Sequence, residues 1–264
     1  HRGSMTNLSL KNKRILITGG SQGVGFAIAR ACCNLGAQHL VIIGRDEAKG
    51  QAAANQLSTD SSKTTFFSAD LANEDAANTV FDFARQEMGG VDGLVNAAGI
   101  TTRGSFLDGK LEDWDRLFAI NARAPFFLMQ AFIRQALDVG QAGSIVNISS
   151  MHTYCGLPEV AMYAGSKAAI TTLTKNAANA HLQDRIRANA IAMGWAATPA
   201  EQDMQANKLG KGKGWVEDIA SQLPLGRLLD VSEVANLAVY LLSDMSGLQT
   251  GTIIDLEQKV MGAI

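Results

Sequence analysis

The sequence predicts an α/β fold: a doubly wound, parallel, seven-stranded sheet with helices on both faces. Three observations predict it. Short apolar runs alternate with helical stretches along nearly the whole chain, a glycine-rich turn joins the first strand to the first helix, and the chemically suggestive residues cluster just after strands. Strands that alternate with helices pair in parallel, their crossovers are right-handed, and ligands bind beyond the carboxyl ends of such strands.

The elements follow in order. Arg14–Thr18 reads as a buried strand, and Val24–Leu35 follows with helical periodicity. His39–Ile43 is a second strand, and Asp46 caps a helix running to Leu57. Thr64–Ala69 and Val91–Val95 are strands three and four, separated by a helix over Asn73–Met88. Leu111–Asn121 and Pro125–Asp138 read as two helices, and Ser144–Ile148 as strand five. A long alanine-rich helix spans about Val160 to Leu182, followed by a strand over Ile186–Ile191, a helix over Val231–Leu242 and a last strand over Thr252–Asp255. The one irregular stretch, 196–223, carries Gly210, Gly212 and Gly214 among Lys208, Lys211 and Lys213, and reads as a polar lid.

The chain has 264 residues, 47% of them hydrophobic, enough for one α/β domain over residues 5–264. His1–Ser4 looks like an expression-tag remnant ahead of Met5. The net charge of −2 gives no reason to expect nucleic acid or a membrane as partner, and no apolar run reaches the length of a span. Cys32, Cys33 and Cys155 lack zinc-type spacing and an obvious disulfide geometry, so they read as free thiols in a cytoplasmic protein; no metal is expected.

The turn Thr18-Gly-Gly-Ser-Gln-Gly-Val-Gly25 carries the first functional signal. Gly19 permits the tight turn, Gly23 lets backbone approach a diphosphate, and Gly25 lets the helix lie against the sheet. Ser21, Gln22 and Val24 complete a cradle at a helix N-terminus, whose free N–H groups and partial positive charge favour phosphate. At the end of strand two an acidic residue would hold ribose hydroxyls. Here Gly44 leaves room and Arg45 is placed to pair with a 2′-phosphate, so NADP is favoured over NAD. The competing reading has Arg45 stack on adenine.

Tyr163 and Lys167 sit at i and i+4 of the long helix and share a face. A charge pair at about 4 Å with an effective dielectric of about 20 is worth ~4 kcal/mol, roughly three pKa units. That predicts a phenol lowered toward neutrality, able both to give and to take a proton. Ser150 falls just past strand five, where a hydroxyl can stabilise a developing alkoxide, while strand alternation turns Ser149 the other way. Together these residues predict an alcohol–carbonyl oxidoreductase.

These motifs, in this order, resemble the short-chain dehydrogenases/reductases, in their single-domain Rossmann-like subdivision, over about Leu8 to Asp255. The resemblance implies further roles. Asp70-Leu71 matches the segment after strand three that contacts adenine; Asn96-Ala97-Ala98-Gly99 matches the family's Asn-Asn-Ala-Gly with Ala97 for the second Asn. Asn121 stands at the catalytic asparagine and completes a tetrad with Ser150, Tyr163 and Lys167; Asn121 would hold a water beside Lys167, and Lys167 would bind the nicotinamide ribose. Gly194 and Thr198 match cofactor-contacting positions, with Met193 replacing a proline, and Asp255-Leu-Glu-Gln258 stands where Asp-Gly-Gly is usual. The family also implies a homotetramer or homodimer.

Substrate candidates are residues that follow Gly99, Ser150 and Gly194: Thr101, Arg103, His152 and Trp195, with Tyr154, Glu159 and Gln202 nearby. Their polarity points to a sugar, polyol or sugar acid. A 3-oxoacyl-thioester reductase is the alternative, which a basic patch beside the pocket would mark, and a non-catalytic nucleotide-binding regulator is a second. A nucleotide-sugar epimerase is disfavoured, because this chain lacks the longer carboxyl-terminal substrate domain.

Overall fold

The computed structural model describes residues 8–212 and 214–262. The proposed tag remnant at 1–4, Met5 and Lys213 of the lid lie outside the described residues. The strands are β1 (Arg14–Thr18), β2 (His39–Gly44), β3 (Lys63–Ser68), β4 (Gly93–Asn96), β5 (Gly143–Ser150), β6 (Ile186–Met193) and β7 (Ile253–Leu256). They form one seven-stranded sheet in the order β3-β2-β1-β4-β5-β6-β7, with every pairing parallel.

The apolar runs are buried from both sides, as a parallel sheet requires. Ile15 and Ile17 of β1 pack beneath helices α1 (Gly23–Asn34) and α9 (Val231–Leu242), while Leu16 between them faces α3 (Ala76–Met88) and α5 (Ala124–Val139). The same alternation places Ile42 on the first face and Val41 and Ile43 on the second. Connections run one way from β1 to β3 and the other way from β4 to β7, so the order reverses between β1 and β4. Thr18 and Asn96 are partners in register at that reversal, where a crevice opens at the strand ends.

Several boundaries differ from the sequence reading. The helix expected from Asn73 begins at Ala76, because Asp70 accepts from the Ala72 N–H at 3.0 Å and ties the preceding residues into a turn. The two helices expected around Asn121 and Pro125 are one continuous rod: α4 (Leu111–Phe118), a π-turn (Ala119–Arg123) and α5. Pro125 is tolerated because it is the second residue of α5, where the wider turn leaves its missing N–H without consequence. Strands β5 and β6 run on to pair Ser150 with Met193, because Ser149 satisfies its hydroxyl on Thr171 of α6 (Ala161–Ala180) at 2.9 Å. Ser150 therefore ends the strand rather than following it.

The lid is more ordered than its composition suggests. It contains α7 (Pro199–Gln202), a π-turn (Asp203–Lys208) and α8 (Trp215–Ala220), anchored by a fully buried Trp215 that donates to Gln202 Oε1 at 2.7 Å. Gln202, expected near the substrate, is engaged in this anchor. The remaining helix, α2 (Glu47–Leu57), is capped as read from the sequence: Asp46 accepts from the Lys49 N–H at 2.9 Å.

Candidate active site

The glycine turn forms because nothing larger fits. Gly19 and Gly23 adopt positive φ, at 68° and 58°. A Cβ on Gly25 would lie 2.2 Å from the Gly19 carbonyl oxygen, and one on Gly19 would lie 2.9 Å from Ala98 backbone. The turn is thus pressed between α1 and the end of β4. Buried Thr18 locks the two together, its hydroxyl accepting from the Ala97 and Ala98 N–H groups at 3.2 and 3.1 Å. Helix α1 begins with no side-chain cap and no acidic residue in its first turn, so its terminal N–H groups are left for an anion. Val24 points into the core, so only its backbone can take part.

Around this turn the other candidates gather. A Cβ on Gly44 would lie 2.8 Å from Ser21 Oγ, which explains the glycine at the end of β2. Arg45 is exposed beside it and makes no side-chain hydrogen bond among the described residues. Asp70 is paired with Arg116 of α4 at 3.1 Å, and these contacts, with Arg45 nearby, hold its carboxyl below the ordinary range despite partial burial. Leu71 is a core residue. Asn96 donates to Asn147 Oδ1 at 2.8 Å, leaving its own Oδ1 buried without a partner at the mouth of the crevice. Thr198 caps α7 and lies across from Gly23, about van der Waals distance from where its Cβ would be. A glycine cradle, an uncapped helix start and a neighbouring arginine fit the phosphates of a dinucleotide, and the unspent Asn96 acceptor fits one of its hydroxyl or N–H groups.

The catalytic candidates converge at the ends of β4 and β5. Tyr163 and Lys167 lie one turn apart on α6, both buried. Lys167 Nζ is 5.9 Å from the centre of the Tyr163 ring and donates to the Ile148 carbonyl at 2.9 Å. The Ser150 hydroxyl accepts from the His152 N–H at 3.2 Å, and its hydrogen bond to Tyr163 pulls the phenol pKa down. Asn121, in the π-turn, is bound three ways: it exchanges hydrogen bonds with the Ile100 backbone at 3.0 and 2.9 Å and donates to Ser166 Oγ at 3.0 Å. The exposed Gly99 brings Asn121 and Lys167 together, since a Cβ there would lie 3.2 Å from Lys167 Nζ and 3.4 Å from Asn121 Oδ1.

The electrostatics correct one expectation. Lys167 does not bring the phenol toward neutrality. Burial dominates and raises Tyr163 to about 12, with Glu201 adding to the rise against the pull of Ser150. Burial likewise lowers Lys167 to about 8. Removing both groups from water penalises each charged form more than their separation rewards it.

The substrate-side candidates separate. His152 packs edge-on against Tyr163, with ring centres 5.9 Å apart, and Gly156 leaves room for its ring. Burial holds the His152 pKa below its ordinary value, so the imidazole is neutral at pH 7. Arg103 donates to Glu159 at 3.1 Å, while its Nε is buried without a partner. Trp195 donates to Glu201 at 2.9 Å. Thr101 is half-buried just beyond the Gly99 corner. Tyr154 turns away to donate to Asp255 at 2.8 Å. Sequence reasoning missed Arg116, Glu201 and Glu257. The first carries no local signal, and the other two are brought in by the lid and the segment after β7. Asn147, a polar residue inside an apolar strand, is the missed residue that a burial argument would have found.

The family described as enoyl-(acyl carrier protein) reductase matches residues 19–258. The chain is 34% identical over 245 residues to 2-(S)-hydroxypropyl-CoM dehydrogenase 3 of Xanthobacter autotrophicus, covering 92% of this chain and 94% of that one. It is 30% identical to gluconate 5-dehydrogenase of Gluconobacter oxydans, covering 93% of each. Its fold superposes on L-sorbose reductase of Gluconobacter frateurii, solved with NADPH and L-sorbose, with a TM-score of 0.90, 26% identity, and coverage of 98% of this chain and 100% of that one.

Proposed function

The chain belongs to the short-chain dehydrogenase/reductase family, and on that premise we propose that it is an NADP-preferring oxidoreductase interconverting an alcohol and a carbonyl on a sugar, polyol or sugar acid. The observation that carries this reading is the convergence of Ser150, Tyr163 and Lys167 beside the glycine turn. The same catalytic unit is proposed to span residues 5–264, with 196–223 as its lid.

A bound nicotinamide supplies the hydride donor or acceptor. The protein supplies the proton and the geometry. With its pKa near 12, Tyr163 is protonated at neutral pH and acts as the general acid on the substrate oxygen during reduction. Ser150, whose oxygen accepts from His152 N–H and whose hydrogen is directed at the Tyr163 oxygen, would turn that hydrogen to the substrate oxygen when substrate enters. Lys167, close to half charged near pH 8, stands at the Gly99 corner, where it would hold the nicotinamide ribose. Asn121 fixes the π-turn and Ile100 beneath it. Gly19, Ser21, Gln22, Gly23, Val24 and Gly25 are proposed to hold the diphosphate, Arg45 the 2′-phosphate, and Asp70, Leu71, Asn96, Ala97, Gly99, Gly194 and Thr198 the rest of the dinucleotide. Thr101, Arg103, His152 and Trp195 are proposed to face the substrate.

The protein is further proposed to be cytoplasmic and to assemble as a homotetramer or homodimer. The apolar residues left on α4 and α5, Leu111, Trp114, Phe126 and Phe127, support assembly. Among the described residues no helix is long and apolar enough to cross a membrane. The test of function is a screen of ketoses, polyols and sugar acids with NADPH, NADP, NADH and NAD, followed by nicotinamide absorbance. Turnover of a member of the panel, faster with the phosphorylated cofactor, is the expected result; no turnover of any carbonyl or alcohol refutes the reading.

A further inference from the structure

Resting on that reading, we infer that the substrate pocket selects an uncharged polyhydroxylated substrate and rejects carboxylates, and that Glu201 and Glu257 set this choice. The two acids enter from different parts of the chain. Glu201 stands at the start of the lid, its carboxylate pinned by Trp195 Nε1 at 2.9 Å and by Gln205 Nε2 at 2.6 Å. Gln205 is fully buried, so the pinning is part of the packed structure. Glu257 follows β7 and lies against Gly194, where even a Cβ would come within 2.3 Å of its Oε2. Both carboxylates bear on His152, and Glu201 also bears on the Tyr163 phenol.

The charges do not cancel. On the substrate side, Arg103 is already paired with Glu159 at 3.1 Å. Neither Glu201 nor Glu257 has an ion-pair partner among the described residues. Lys211 reaches Glu201 only through Gln205, whose Oε1 it meets at 2.7 Å. Lys167 points to the Ile148 carbonyl. Two negative charges therefore act on His152, and the one on Glu201 also acts on the Tyr163 phenol, so a substrate bound against His152 and Tyr163 would meet both. The hydrogen-bonding groups there, the neutral His152 imidazole, the Ser150 hydroxyl and the carboxylates themselves, suit vicinal hydroxyl groups, which donate to carboxylate and imidazole alike. A carboxylate, or an acyl thioester on an acidic carrier, would meet repulsion in a partly desolvated pocket.

The test compares matched neutral and anionic ketoses, L-sorbose and 5-keto-D-gluconate, with NADPH, in the wild type, Glu201→Gln and Glu257→Gln. The wild type is expected to favour the neutral partner in kcat/KM by at least about tenfold, the scale of one like charge at a partly screened distance. Each substitution is expected to shrink that preference several-fold. Should either variant fold poorly, salt gives the same answer in the wild type. Rising ionic strength should raise kcat/KM for the anion and leave the neutral ketose flat. Equal use of both ketoses, a ratio unmoved by both substitutions, or a salt-independent anion rate overturns the inference. A small diketone serves as control: its reduction without any ketose turnover sinks this inference and the sugar assignment but leaves the alcohol–carbonyl chemistry standing, and failure of every carbonyl sinks the parent reading.

Discussion

The Lys167 ammonium stands 5.9 Å from the centre of the Tyr163 ring, with its hydrogen bond at 2.9 Å directed to the Ile148 carbonyl. The lysine's hydrogen bond thus goes to backbone and not to the phenol. Burial sets the proton affinity of each, raising Tyr163 to about 12 and lowering Lys167 to about 8. The pair is arranged to deliver a proton.

That arrangement fixes a pH dependence. Tyr163 keeps its proton throughout the accessible range, and Lys167 is charged below about pH 8 and loses its charge above it. Reduction that needs both groups protonated is therefore fast at neutral pH and falls as pH rises through about 8. The measurement is kcat/KM for carbonyl reduction across that range, which reports the free enzyme. Lys167→Arg, which stays charged, should lose activity overall and also lose the limb near 8. A limb that persists in the arginine variant assigns it to another group.

Cofactor choice rests on Arg45. Its exposed guanidinium, beside the space left by Gly44, makes no side-chain hydrogen bond among the described residues. Arg45→Asp should swing the NADP/NAD ratio of kcat/KM toward NAD by a factor on the order of a hundred, the worth of a bidentate phosphate pair replaced by a repelling carboxylate. An unchanged ratio would show that the 2′-phosphate is read elsewhere.

Stability should depend on Thr18 more than on most core positions. Its hydroxyl accepts from two N–H groups at the end of β4. Thr18→Val keeps the shape and leaves both donors without that acceptor. A buried unsatisfied donor costs about 1–3 kcal/mol, and because these two are only part-buried a loss of about 2–4 kcal/mol is expected in urea unfolding. Thr18→Ser should recover most of it.

Much of this site could be read from the sequence because its signals are local. The spacing of Tyr163 and Lys167 is a helical turn, and the glycine turn announces itself by residues whose larger replacements would collide. Strand limits were legible where apolar runs ended them, but β5 and β6 extend past Ile148 and Ile191 because Ser149 finds a partner on α6. The π-turn holding Asn121 had no such signal: Pro125 reads as a helix start, and only the packed structure shows the rod continuing through it. Glu201 and Glu257 were invisible for a different reason. They lie 56 residues apart in the chain and meet only around His152, and the burial that sets the Tyr163 and Lys167 charges is likewise a property of the assembled core.

The central claim is that Tyr163 is the proton donor, and Tyr163→Phe tests it most directly when turnover and NADPH affinity are measured on the same preparation. Removing the hydroxyl leaves the ring, its contact with His152 and the glycine turn in place. Turnover should fall by about a thousandfold, within the range attributed to one general acid, while NADPH still binds with nearly the wild-type Kd. Turnover close to that of the wild type contradicts the account.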